Sequence, residues 1–139
     1  INSTRQSLLR SIFISSYAIL EQHFDEIVNM EKIRCKLLVS PSDLKDRGIT
    51  RSLNYAKKVL EKNINTNAEH WKELSTLQEL RNHLVHYGSS FNGTLDHEKH
   101  FTKFQNLKYV TLRPAICFSI EQIEQIFDLY MVCIDDFNQ

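Results

Sequence analysis

From about Ser3 to Met30 the apolar positions Leu9, Ile12, Phe13, Tyr17, Leu20, Phe24, Ile27 and Val28 recur at steps of three and four, the period of one buried helix face. The stretch holds no Gly or Pro, and only Ser15-Ser16 weakens it, so it predicts one long amphipathic helix. The pattern then blurs. Ser40-Pro41-Ser42-Asp43 is turn chemistry, because proline biases the residue before it away from helix, and a short helical turn before Gly48 is expected. Thr50 is expected to cap a second, shorter helix through Leu53, Ala56, Val59 and Leu60 that frays at Asn63-Ile64-Asn65. Thr66 followed by Glu69 reads as a capping box. Trp71, Leu74, Leu77, Leu80, Leu84 and Val85 then mark the stripe of a third helix reaching Tyr87, with Gly88 as its stop.

Between Ser89 and about Cys117 the periodicity fails: Asn92-Gly93 is a turn signal, and Leu107 to Leu112 is a partly alternating stretch suited to an extended segment or hairpin arm. Ser119 with Gln122 opens a last helix, in which Ile120, Ile123, Phe127, Tyr130, Ile134 and Phe137 run to the C-terminus in a heptad-like seam. The pattern predicts an all-α fold: a four-helix bundle in a single domain over residues 1–139, with a long irregular loop before the last helix. A stripe wider than one bundle covers would make it a dimer.

Composition changes this picture little. Seventeen basic and seventeen acidic residues cancel, which removes the global field of a tight, nonspecific nucleic-acid binder. The balance is local, with nine basic and four acidic residues between Glu31 and Lys62, whereas the last helix carries Glu121, Glu124, Asp128, Asp135 and Asp136 with no basic residue. Lys36, Lys45, Arg47, Arg51, Lys57 and Lys58 read equally as a solvated face or as a track for an RNA backbone. No apolar run of membrane-spanning length and no signal-like segment is present. Cys35, Cys117 and Cys133, an odd count at irregular spacing, read as reduced, mostly buried thiols of a cytoplasmic protein.

The chemistry concentrates in Arg81-Asn82-His83-Leu84-Val85-His86, followed by Tyr87-Gly88. Wound at ~100° per residue, Arg81 falls within roughly 60° of Leu74, Leu77, Leu84 and Val85, a costly position for an unpaired cation. Asn82 and His86 lie four apart on a shared flank. His83 falls on the far side and is expected to be a solvated bystander. Arginine supplies a planar fork for phosphate oxygens and keeps its charge. Histidine, which ordinarily titrates near pH ~6.5, can take a proton from a ribose 2′-hydroxyl or give one to the leaving 5′-oxygen. Asparagine can orient the ring or hold a phosphate oxygen. No carboxylate cluster of metal-binding type accompanies the three, so neither metal nor cofactor is expected.

Arg81-Asn82-x-x-x-His86 resembles the R-N-x-x-x-H signature of the HEPN superfamily, and its place near the end of the third of four helices is similar to that family's arrangement. Tyr17 and Glu21 on the first helix resemble the aromatic and acidic positions often found in HEPN ribonucleases. The resemblance implies a metal-independent endoribonuclease that attacks through the substrate's own 2′-hydroxyl and leaves a 2′,3′-cyclic phosphate. It further implies a homodimer whose two motifs meet in one composite active site, and a role as a toxin or antiviral-defence effector restrained by an inhibitory partner or antitoxin. In the catalytic set Arg81, Asn82 and His86 would be supported by Glu21, Tyr17 and Tyr87, with Lys36, Arg47, Arg51, Lys57 and Lys58 touching RNA. The family also contains noncatalytic dimerisation or interaction domains and accessory domains to nucleotidyltransferases.

Plainer readings stand beside these. Arg81 could instead be neutralised by a buried carboxylate such as Glu21, with His86 on the C-terminal dipole of its helix, a reading that carries less weight than the site. His97 and His100 in Asp96-His97-Glu98-Lys99-His100 read as a solvated loop without a third metal ligand. Phe91, Phe101 and Phe104 read as pins for that loop.

Overall fold

The computed structural model describes residues 3–139, and its chain is mostly helical. Helix α1 (Ser3–Arg34) is the spine. Its buried side chains Leu9, Phe13, Tyr17, Leu20, Phe24 and Val28 trace the expected stripe, while Ile12 stays 44% exposed at the stripe's edge. Helix α2 (Gly48–Lys58) follows a 3₁₀ turn at Pro41–Asp43. It starts two residues before Thr50, with Arg47 at the cap position and no side-chain cap.

Helix α3 (Glu69–Tyr87) also lacks the expected cap. Ala68 occupies the N-cap, so the Thr66 and Glu69 pairing does not form, and Gly88 ends the helix as anticipated with a φ of +78°. The last helix, α5 (Ile120–Phe137), has its capping box as read: Ser119 Oγ accepts from the Gln122 amide, and Gln122 Oε1 accepts from the Ser119 amide.

The largest departure lies between α3 and α5. Leu95–Gln105 forms a further helix, α4, where the periodicity predicts an irregular loop. Thr94 caps it by accepting from the His97 amide, and His97 and Phe104 turn inward. Imidazoles fill apolar positions of this helix, which hides its period from a reading that counts histidine as polar. After it, β1 (Thr111–Leu112) and β2 (Ile116–Cys117) pair antiparallel, Thr111 opposite Cys117 and Leu112 opposite Ile116, in the region read as a hairpin arm.

Ring contacts fix the directions of the long helices. Phe13 lies 5.2 Å from Phe118, Tyr17 6.4 Å from Tyr130 and Phe24 4.7 Å from Phe137, so α1 and α5 run the same way. Phe24 meets Trp71 at 6.0 Å, and Tyr17 shares a small cavity with Leu74 and Gln78, so α3 runs against α1. The core between them is closed by fully buried Leu74, Leu77 and Leu80 of α3, Ile126 and Phe137 of α5, Tyr55 of α2 and Ile116 of β2. Burying side chains of this size contributes ~1.5–3 kcal/mol each. Cys117 and Cys133 are buried, and burial pushes the Cys133 thiol up to about 12, whereas Cys35 is exposed. Among the described residues no helix is long and apolar enough to cross a membrane.

Candidate active site

Helix α3 presents Arg81 from the edge of its buried face, beside Leu77, Leu80 and Leu84. The side chain is half-buried, as the wheel requires. Its Nη1 donates to Asn82 Oδ1 at 3.0 Å, and its Nε is buried with no hydrogen-bond partner in the chain. A buried donor left without an acceptor costs ~1–3 kcal/mol, more when charged. The arginine is therefore gripped at one end and unsatisfied at the other.

Tyr17 of α1 stands within electrostatic reach of this guanidinium, and Glu21 of α1 lies within reach of Tyr17. No ion pair within 4 Å joins Arg81 to Glu21 among the described residues, so the plain pairing does not form. Glu21 sits instead against the start of α2, where its Oε1 lies 3.0 Å from the position a Cβ on Gly48 would take, and Gln78 Nε2 lies 3.8 Å from that position. Gln78 is one turn before Arg81 and Asn82, which brings the start of α2, Glu21 and the motif's helix face together. The residue spacing of α3 and Glu21 does not announce Gln78.

The Tyr17 hydroxyl is buried and unpartnered. Burial first, then the charges of Glu21 and Tyr130, push the phenol well above the usual range, and only Arg81 pulls the other way. Tyr17 is consequently a neutral hydroxyl within electrostatic reach of Arg81, able to donate a proton in a hydrogen bond but not to ionise.

Of the two histidines of the motif, His83 lies where it was not expected, and His86 stands on its flank without the contact to Asn82 that the spacing allows. His86 is exposed on the last turn of α3, with its ring 6.3 Å from that of Tyr87, and it makes no hydrogen bond to Asn82. His83, read as a solvated bystander, is 1% exposed. The far side of the wheel is not solvent, because α4 packs there: His83 touches the rings of Phe91, His97, His100 and Phe104 at 4.7 to 6.0 Å. His97 is 4% exposed and His100 half-buried, so the solvated-loop reading of that pair fails for the same reason. Tyr87 is 59% exposed, yet its ring rests 4.6 Å from that of His97. Phe91 and Phe101 meet edge to face at 5.2 Å and pin the connection as anticipated.

The basic stretch divides. Lys36, Lys45, Arg47, Lys57 and Lys58 are exposed, and Lys57 donates to Thr66 at 3.3 Å. Arg51 is half-buried and paired with Asp25 at 3.0 Å, a tie between α2 and α1. Among the described residues no group of three or more His, Cys, Asp or Glu side chains is arranged to hold a metal ion. No family model matches the chain, and no curated protein and no solved structure was found to be similar to it.

Proposed function

We propose that this chain is a metal-independent endoribonuclease of the HEPN type, which cuts RNA by attack of the 2′-hydroxyl and leaves a 2′,3′-cyclic phosphate. The observation that carries the reading is the Arg81 guanidinium, held by Asn82 at one nitrogen while its buried Nε lacks an acceptor. A phosphate oxygen on the accessible side of the half-buried guanidinium meets a fixed positive charge where negative charge develops in the transition state. His86, solvent-accessible one turn further on, serves as the general acid or base near neutral pH. Tyr17 and Glu21 shape the field at Arg81 from behind. A homodimer with a composite site, restrained by an inhibitory partner or antitoxin, belongs to the same proposal, as does a part in toxin or antiviral-defence action inside the cytoplasm.

The test is incubation of the purified protein with single-stranded RNA and DNA of matched sequence in EDTA. RNA alone is expected to be cut, with cyclic phosphate ends. Arg81→Ala and His86→Ala are each expected to lower the rate ~10²-fold or more. A requirement for divalent metal, or undiminished cutting by His86→Ala, overturns the proposal.

A noncatalytic dimerisation domain is the second reading, and a separate observation favours it. Ile12 and Ile19 on α1 are 44% and 68% exposed, and Phe127 and Met131 on the neighbouring α5 are 40% and 55% exposed. The hydrogen-bonded Ser16 and Tyr130 hydroxyls, 3.2 Å apart, join these helices beside those apolar side chains. Exposed apolar surface of this kind suits a second copy of the chain.

A further inference from the structure

Three histidines that the proposed chemistry does not use converge at the seam between α3 and α4, and their hydrogen bonds fix which nitrogens carry protons. His83 Nε2 lies 2.9 Å from the Ser90 carbonyl oxygen, which accepts only, so Nε2 is the protonated nitrogen. His83 Nδ1 then offers a lone pair to His100 Nδ1 at 3.1 Å, and His100 donates. His97 Nδ1 accepts from the Asn92 amide at 2.9 Å and is likewise unprotonated. Two buried lone pairs thus hold two elements: one ties α4 to α3, the other ties the 88–94 loop to α4. The loop is tied again at Ser89, whose carbonyl accepts from the Ile116 amide at 2.8 Å.

We propose that His83, His97 and His100 form a proton-released clasp that holds α4 and the 88–94 loop against the end of α3 at neutral pH and frees them in mild acid. A proton on His97 Nδ1 sets N–H against the Asn92 amide, which can only donate, whereas a proton on His83 Nδ1 keeps its bond only if His100 moves its own proton to the outer nitrogen and accepts. The first breaks the bond that the lone pair had made, and the second places a charge in a buried seam beside two other imidazoles. A proton reaching the outer nitrogen of His100 leaves its donation to His83 intact, so His83, through burial, and His97, through its lost acceptor, are the two whose protonation works against the closed seam.

The surroundings offer an imidazolium little compensation. From α3 the titratable neighbour is Tyr87, and from α4 the neighbours are the histidines themselves. The loop residues 88–94 contain no titratable side chain. Asp96, Glu98 and Lys99 of α4 are exposed, and Lys103 is paired with Glu79 of α3. Among the described residues no carboxylate hydrogen-bonds to any of the three rings. Burial is the main cause holding the His83 imidazole below its usual range, reinforced by His97 and His100 and opposed by the Ser90 carbonyl. A base with a folded pKa below its unfolded value contributes stability that is present above ~pH 6.5 and lost as pH falls.

Because the Tyr87 ring rests on His83 and His97, release of the clasp also frees that ring at the end of the motif's helix. That regulatory consequence rests on the ribonuclease reading, but the clasp itself does not. The test therefore reads amide exchange, without RNA. Protection factors for 95–105, corrected for intrinsic exchange, are measured between pH 7.5 and 5. They are expected to fall towards a hundredfold per pH unit, two protons per opening, while the α1 core amides change less. His97→Asn keeps an acceptor for the Asn92 amide without titrating, and is expected to reduce the fall to about tenfold per unit. Protection independent of pH, or an equal fall in His97→Asn, overturns the clasp. Nitrogen-15 spectra of the wild-type imidazoles give a check that needs no variant. Neutral rings protonated at Nε2 alone on both His83 and His97 at pH 7.5, gaining Nδ1–H in step with the loss of α4 protection, are the expected result, and any other tautomer on either ring at pH 7.5 overturns it.

Discussion

Asp136 shows how much one polar contact between helices contributes. Its Oδ2 accepts from Trp71 Nε1 at 2.6 Å and lies 2.8 Å from His70 Nε2, joining the start of α3 to the end of α5. Partial burial pushes the carboxyl up, yet the His70 and Trp71 hydrogen bonds outweigh it and hold the group below the usual range. Trp71→Phe removes one donor and keeps an aromatic ring in the core. It is expected to cost about 1–3 kcal/mol, read from urea midpoints at pH 7. The carboxylate's folded pKa is the lower one, so its contribution is present above ~pH 3.9 and disappears as pH falls through the folded value. The gap between wild type and Trp71→Phe should accordingly narrow when the measurement is repeated near pH 2.5. Arg81 was legible at this same scale, because a cation on an apolar stripe needs a partner. That the partner for one nitrogen is the adjacent Asn82, and that Glu21 turns to α2 instead, was not, since spacing says nothing about a side chain's choice among neighbours.

At the scale of elements, the join between α1 and α2 depends on Gly48, which has a φ of +61° and faces the Glu21 carboxylate. A methyl group there meets Glu21 Oε1 at 3.0 Å in a left-handed backbone. Gly48→Ala is expected to destabilise by about 1–2 kcal/mol from the backbone alone, seen as a lower thermal midpoint. If Glu21 shapes the field at Arg81, the same variant also slows RNA cutting by displacing that carboxylate. Helix α4 is the element that the pattern missed. Its inward positions are His97, His100 and Phe104, and two imidazoles count as polar until a neighbouring helix removes the water around them. The caps of α2 and α3 were misplaced for a related reason. A capping side chain competes with other ways of starting a helix, and packing against α1 sets where these two begin.

The whole molecule presents two different exteriors, an apolar row on α1 and α5 and the motif's flank on α3. Ile12→Glu and Phe127→Glu are expected to shift a dimer to monomer in sedimentation with little loss of thermal stability, since both side chains are substantially exposed. A chain that is monomeric before substitution removes this face from consideration as an interface. Should the monomeric variants still cut RNA, the site is complete within one chain, and the composite arrangement is wrong.

Residue periodicity was enough to establish the helical class, the buried stripe of α1, the span of α5 and the end of α3 at Gly88, while α1 runs four residues past Met30 to Arg34. These are properties of neighbours along one helix, set by 3.6 residues per turn and by backbone sterics. Contacts across helices settled the rest: α4, the burial of His83, the seat of Glu21 beside Gly48 and the tautomers of three imidazoles. A wheel treats every side away from the apolar stripe as water, and His83 shows the error, because another helix lies there.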